Sequence, residues 1–154
     1  MAGGNKSKKQ VRRSTKTIAY ENGLRRCPVC DRQLQWRESP TNKNDTFATI
    51  DHIVPASFGG LNTPSNYYVM CAKCNTRRGN IPFAHFIKTS GVAIDDDKLE
   101  FMVFQACIDT VKGLMQQNQR TKPLSAMMKH VLKNFSPNSS MRLLLEQFYM
   151  VKQQ

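Results

Sequence analysis

The stretch Thr49 to Asn80, TIDHIVPASFGGLNTPSNYYVMCAKCNTRRGN, decides how this chain folds. Phe47 to Val54 (FATIDHIV) is rich in β-branched residues and reads as a strand. Pro55 to Pro64 (PASFGGLNTP) is a loop with paired glycines, which can take backbone angles closed to other residues. Tyr67 to Met70 (YYVM) is a second short strand, and Cys71 to Asn80 (CAKCNTRRGN) opens a helical segment that Pro82 to Lys88 continues or restarts. Asp51 and His52 are adjacent on the first strand. Neighbouring strand residues point to opposite faces, so both reach one site only if the strand ends or bends there. Pro55 shortly after fits such a break.

The helical segment begins inside a cysteine pattern. Cys27 and Cys30 form one CxxC pair and Cys71 and Cys74 another, with 40 residues between Cys30 and Cys71. Each turn points two sulfurs inward, and two such turns complete the tetrahedron of a structural zinc site. Disulfides or free thiols are the alternatives, disfavoured in a reducing compartment. An iron–sulfur cluster comes second. Four protein ligands leave no open position, so the zinc is expected to tie the region before the strands to the start of the helix. Cys107 stands apart and reads as a small buried hydrophobe.

Asn75 follows Cys74 directly, so the zinc turn fixes its position. Asp51 and Asn75 both offer oxygen and suit a hard cation such as Mg²⁺. His52 can be neutral near pH 7 and take a proton from water. A cation beside an imidazole base is what phosphodiester hydrolysis needs. Each residue alone has a plainer reading. An Asp-His pair is often structural, and an Asn after a zinc cysteine can be a helix cap. The conjunction with both CxxC pairs favours the catalytic one.

Asp51-His52-Ile53-Val54-Pro55, Gly59-Gly60, Asn66, then Cys71-x-x-Cys74-Asn75 followed by Arg78-Gly79 resembles the HNH (ββα-metal) endonuclease family. The spacing, 14 positions from His52 to Asn66 and 9 from Asn66 to Asn75, matches its variant with Asn in place of the last His. The four-cysteine form is similar to many phage and bacterial members. The resemblance covers about residues 24–88. It implies His52 as general base, Asp51 and Asn75 as ligands of a catalytic divalent cation, and Asn66 as a structural amide that orients His52 through a main-chain carbonyl. It implies Arg77 and Arg78 on the DNA side of the helix, pairing phosphates. Asn75 in place of His narrows the expected metal to Mg²⁺ or Mn²⁺. His85 offers another imidazole nearby but is expected to pack or face solvent, and His130 is expected to be incidental.

The expected fold is therefore α+β: a small zinc-stabilised ββα-metal core followed by a helical C-terminal extension. Residues 1–17 are expected as a flexible basic arm, 18–91 as the nuclease core and 92–154 as the helical region. Leu34-Gln35-Trp36 alternates like a short strand, and Glu38 to Asp45 (ESPTNKND) is turn-rich. Asp95-Asp96-Asp97 sits where acidic groups favour a helix start. The helix that follows carries two apolar stripes: Leu99, Met102, Val103, Ala106, and Phe101, Phe104, Ile108, Val111, Met115. Such a helix is expected to be central and packed on both sides. A further helix runs from Pro123 to about Asn134, and a last one from Met141 to Val151.

The chain of 154 residues carries a formal charge of +12. Residues 1–26 hold eight Lys/Arg against one Glu, so most of the surplus precedes the first cysteine. That suits a phosphate backbone, whose neutralisation releases counterions. DNA is the expected partner, ahead of RNA, with the grip coming from the arm, Arg25, Arg26, Lys73, Arg77 and Arg78. Trp36, Tyr67 and Tyr68 either stack on bases or fill core. A membrane is not expected, because no apolar run reaches spanning length. Met1 to Lys16 is polar and basic, unlike an export signal, so the bacterial or phage-infected cytoplasm is the expected setting. The C-terminal helices could buttress the core, form a homodimer or dock a larger protein. The rival readings are a non-catalytic zinc-stabilised nucleic-acid-binding module and a phage assembly module.

Overall fold

The computed structural model describes residues 7–36, 45–116 and 122–151. Eight regular elements follow one another in it: α1 (Lys8–Glu21), β1 (Ala48–His52), β2 (Tyr67–Cys71), α2 (Ala72–Arg78), α3 (Phe83–Thr89), α4 (Asp96–Gln116), α5 (Lys122–Val131) and α6 (Ser140–Val151). β1 and β2 pair antiparallel, with Ala48 opposite Cys71 and His52 opposite Tyr67. α2 starts at the residue after β2 and packs back on both strands. Strand, strand and helix thus form one continuous unit in a mixed α and β fold.

Three expectations need correcting. The stretch expected to be a flexible arm is helical from Lys8 onward. Ser7 and Gln10 form a capping box: the Ser7 hydroxyl accepts from the Gln10 amide at 3.3 Å, and the Gln10 side chain accepts from the Ser7 amide at 2.7 Å. Two of the orphan donors at the helix start are satisfied in this way, and Val11 and Ala19 pack on the core. Leu34 to Trp36 form no strand; only isolated bridges join Arg26 to Gln33 and Gln35 to Phe47. α4 is packed on both stripes only in part: Leu99, Val103, Ala106 and Val111 are sealed and Phe104 and Ile108 pack half-buried on the core, whereas Phe101 and Met115, at the two ends of the second stripe, are 54% and 42% exposed. Of the turn-rich loop Glu38 to Asp45, all but Asp45 lies outside the described residues, as do the first six residues of the arm.

The C-terminal helices share the core of the strand–strand–helix unit. One cluster of buried side chains runs from Ile50 and Met70 through Phe83 and Leu99 to Met127 and Leu145. The Asn134 carboxamide accepts from the Ala84 amide at the start of α3, at 2.8 Å. Ser65 donates to Asp109 of α4 at 2.5 Å. Gly113 of α4 lies against Leu61, where an added Cβ would meet the Leu61 side chain at 2.3 Å. α4 therefore presses directly on the loop that joins β1 to β2.

Candidate active site

β1 ends at His52, and the chain then bends through Ile53 to Pro55. Two side chains hold that bend. Asn66 is fully buried; its Oδ1 accepts from the Val54 amide at 2.7 Å, and its Nδ2 donates to the carbonyls of Val54 at 3.0 Å and Leu61 at 2.9 Å. The loop closes so tightly that a Cβ on Gly60 would overlap the Val54 carbonyl, at 1.7 Å, and Gly59 has φ of 86°. Glycine is needed at the first for close approach and at the second for its left-handed backbone.

The second clamp is Arg78. Its guanidinium is 1% exposed and donates to Asp51 Oδ1 at 2.8 Å, to the His52 carbonyl, to the Ile53 carbonyl at 2.9 Å and, through Nε, to the Ile81 carbonyl at 3.1 Å. Arg78 thus faces the interior, and its expected place on the DNA side is corrected. Nearly all its donors meet protein oxygen, which leaves little of the fork for a phosphate. Burial pushes the Asp51 carboxyl upward against the pull of Arg78 and of the His52 amide, which donates to Asp51 Oδ1 at 2.8 Å. Asp51 Oδ2 is buried with no partner among the described residues.

His52 is half-buried across the sheet from Tyr67, whose ring meets it edge-on at 5.0 Å. Its Nε2 lies 3.1 Å from Asn62 Oδ1, which also accepts the Tyr67 hydroxyl at 3.1 Å. An amide oxygen can only accept, so Nε2 carries the proton and Nδ1 keeps the lone pair. Among the described residues the ring is held by this carboxamide, not by a main-chain carbonyl as expected. Burial first, then the cations Arg12, Lys8 and Arg78, hold the imidazole below its usual pKa of 6.5, despite the opposing pull of Asn62.

Asn75 lies in α2 one turn before Arg78, on the same side of the helix. Its Nδ2 reaches Thr49 Oγ1 at 3.1 Å and the Ile50 carbonyl at 3.4 Å. That contact anchors the amide nitrogen to β1 and leaves the oxygen without a hydrogen bond among the described residues. Asp51 and Asn75 thus reach the same strand, from β1 itself and from the helix packed on it.

The four cysteines meet at the other end of α2. The sulfurs of Cys27, Cys30, Cys71 and Cys74 all lie within 4.8 Å of one another, and the Cys30–Cys71 pair is 3.7 Å apart. Zinc–sulfur bonds of about 2.3 Å in a tetrahedron separate sulfurs by about 3.8 Å, so the cluster fits the ion. No disulfide joins them. Backbone amides of Cys71 and Cys74 point at the sulfurs of Cys27 and Cys71, each at 3.4 Å. Cys107, by contrast, is alone and buried in α4.

The remaining expected DNA contacts are exposed but locally engaged. Arg25 lies over the Tyr20 ring at 3.8 Å, and Arg26 forks onto Asp31 at 2.9 and 3.0 Å. Lys73 faces Asp45 at 3.9 Å, and Arg77 donates to Ser90 at 3.0 Å. Asn62, Arg12 and Lys8 were not singled out from the sequence. Asn62 sits in a polar loop with no distinguishing pattern, whereas the Ser7–Gln10 capping box could have revealed the helix that carries Lys8 and Arg12.

Residues 39–89 match a family model described as HNH endonuclease. This segment resembles an HNH endonuclease domain. It contains Asp51, His52, Asn66, Asn75, Arg78 and the second cysteine pair. Over 44 residues, 28% of this chain, the sequence is 43% identical to the CRISPR-associated endonuclease Cas9 of Corynebacterium diphtheriae. The matched part is 4% of that protein's length, so the chain is similar to only a small piece of it. No solved structure matches the chain. The matched segment shares its core with α4 and α5, and no helix among the described residues is long and apolar enough to cross a membrane.

Proposed function

We propose that the chain is a DNA endonuclease of the ββα-metal type, with His52 as general base and a Mg²⁺ or Mn²⁺ ion held by Asp51 and Asn75. The observation that carries this reading is the Asp51 carboxylate. One of its oxygens is fixed by Arg78 and the His52 amide while the other is buried without a partner among the described residues. A buried carboxylate oxygen left unmatched is costly, and a cation offsets that cost. The Asn75 amide oxygen, which has no hydrogen bond among the described residues while Nδ2 turns to Thr49, supplies a second hard ligand.

When bound, the cation stabilises charge on the phosphate and on the leaving oxygen. The protein's own residues handle the proton. Asn62 keeps hydrogen on His52 Nε2, so Nδ1 receives the proton of the attacking water as the new phosphorus–oxygen bond forms and the old one breaks. Burial and the nearby cations keep the imidazole neutral at pH 7, ready to accept. Asn66 and Arg78 hold the strand end so that Asp51 and His52 stay in register. A Zn²⁺ ion on Cys27, Cys30, Cys71 and Cys74 anchors the start of α2, and with it Asn75, but has no coordination site open for chemistry.

The test is relaxation of supercoiled plasmid in Mg²⁺ by the wild type and by His52→Ala. The wild type is expected to nick, and the variant to lose about 100-fold or more of the rate with its zinc content and fold unchanged. Equal rates in the two proteins would assign the activity elsewhere.

A further inference from the structure

α1 carries a charge pattern that works against its own stability. Lys8, Lys9, Arg12, Arg13 and Lys16 fall at spacings of one and four along the helix, so like charges stand one turn apart on one face. Two of them occupy the first turn, which holds no acidic residue, at the positive end of the helix dipole. Among the described residues no carboxylate forms an ion pair with Lys8, Lys9, Arg12 or Arg13. A local conflict of this kind in an otherwise well-capped helix points to a ligand that relieves it.

The position of the face says which ligand. These five cations form one wall of an open trough of about 1040 Å³, whose opposite wall is Phe47 to Ile50 of the catalytic strand. Arg12 spans the trough and donates to the Ile50 carbonyl at 3.3 Å. Lys16 lies over the Phe47 ring at 4.2 Å. Trp36 and Tyr20 line the trough too, their rings edge to face at 5.4 Å. The next residues after Ile50 are Asp51 and His52. Nine helical residues span about 12 Å, which matches three or four phosphates of one strand at about 3.4 Å per charge along the axis.

We infer that the trough between α1 and β1 seats the DNA sugar–phosphate backbone and leads it to His52. This rests on the reading of the site as a phosphodiester hydrolase, since an acidic polypeptide would bring no phosphodiester to it. Lys9 and Arg13 lie on the exposed part of the wall and touch none of the catalytic groups, so they report on binding alone.

The experiment is fluorescence anisotropy of a short DNA duplex titrated with zinc-loaded protein across a salt series, without added Mg²⁺. It compares the wild type, Lys9→Gln/Arg13→Gln, and Lys112→Gln/Lys129→Gln as a control of equal charge on α4 and α5. The first double variant is expected to bind about tenfold more weakly and to lose about 1.8 from the salt slope, the share of two phosphates. The control is expected to change neither. Equal losses in both double variants, or none in the first, would overturn the inference, as would a poly-glutamate competitor that displaces DNA as readily as DNA itself. Nicking by the same proteins in Mg²⁺ separates the two readings. Weakened binding in a protein that never nicks keeps the trough and removes the hydrolytic role, whereas nicking with unaltered binding removes the trough.

Discussion

The Arg78 guanidinium lies 2.8 Å from the Asp51 carboxylate, with both groups shut away from solvent, and the same nitrogen also donates to the carbonyl of His52. One side chain of α2 therefore fixes the carboxylate and the backbone at the end of β1 together. Burying two charges is costly, and removing one partner leaves the other buried alone. Arg78→Met is expected to lower stability by about 3–5 kcal/mol in urea unfolding. Arg78→Lys is expected to recover only part of this, because one ammonium cannot span the oxygens that the guanidinium fork reaches. A loss under about 1 kcal/mol for Arg78→Met would show that the pair does not organise the site.

Asn62 acts through His52. Replacing it by Ala frees the imidazole to rotate and to exchange tautomers, and is expected to lower kcat by about 10- to 100-fold with little change in KM. Asn62→Asp makes a sharper test. A carboxylate beside the ring favours the imidazolium and raises the His52 pKa, so the acid limb of the rate profile should move to higher pH. A profile that stays in place would mean that Asn62 does not hold the catalytic ring.

His130 of α5 is 6% exposed, stacks on Phe58 at 4.3 Å and leaves Nε2 without a partner among the described residues. Burial, with Arg78 and Lys133 nearby, pushes its pKa from 6.5 down to about 4. The unfolded chain therefore takes up a proton between pH 6.5 and 4 that the folded one refuses, and stability falls across that window. At about 1.4 kcal/mol per unit, the share lost by pH 4 is about 3 kcal/mol. Urea unfolding of His130→Phe is expected to be flatter by that amount, and superimposable curves would contradict it.

Zinc removal should act on the fold before it acts on catalysis. Cys71 stands at the junction of β2 and α2, with its sulfur among those of Cys27, Cys30 and Cys74. Cys71→Ser is expected to lose zinc and unfold, as followed by circular dichroism and metal analysis. A folded, metal-free Cys71→Ser protein would remove the structural role.

The sequence was most legible where function depends on fixed spacing. Each CxxC pair, the order of two strands and a helix, and the fixed intervals between Asp51, His52, Asn66 and Asn75 are patterns written directly in the sequence, and the structure gathers the four cysteines into one cluster. Arg78 was misread because its neighbours, Cys-Asn-Thr-Arg-Arg-Gly, look like a basic helix face. Its burial depends on meeting Asp51, 27 residues earlier, which local pattern does not reveal. α1 was missed because its composition resembles a solvated tail, although the Ser7–Gln10 box marked a helix start. Asn62 joins the site only through the register that sets His52 opposite Tyr67. The second apolar stripe of α4 packs on the core through Phe104, Ile108 and Val111, but its ends, Phe101 and Met115, remain exposed, which helical periodicity alone does not show.

The central claim is that Asp51 and Asn75 hold one hard divalent ion beside His52. Its most direct measurement is a Mn²⁺ titration of zinc-loaded protein followed by electron paramagnetic resonance. The account predicts one Mn²⁺ per chain in the wild type and in His52→Ala, and loss of that binding in Asp51→Asn with zinc retained. Unchanged Mn²⁺ binding by a folded Asp51→Asn protein would contradict it.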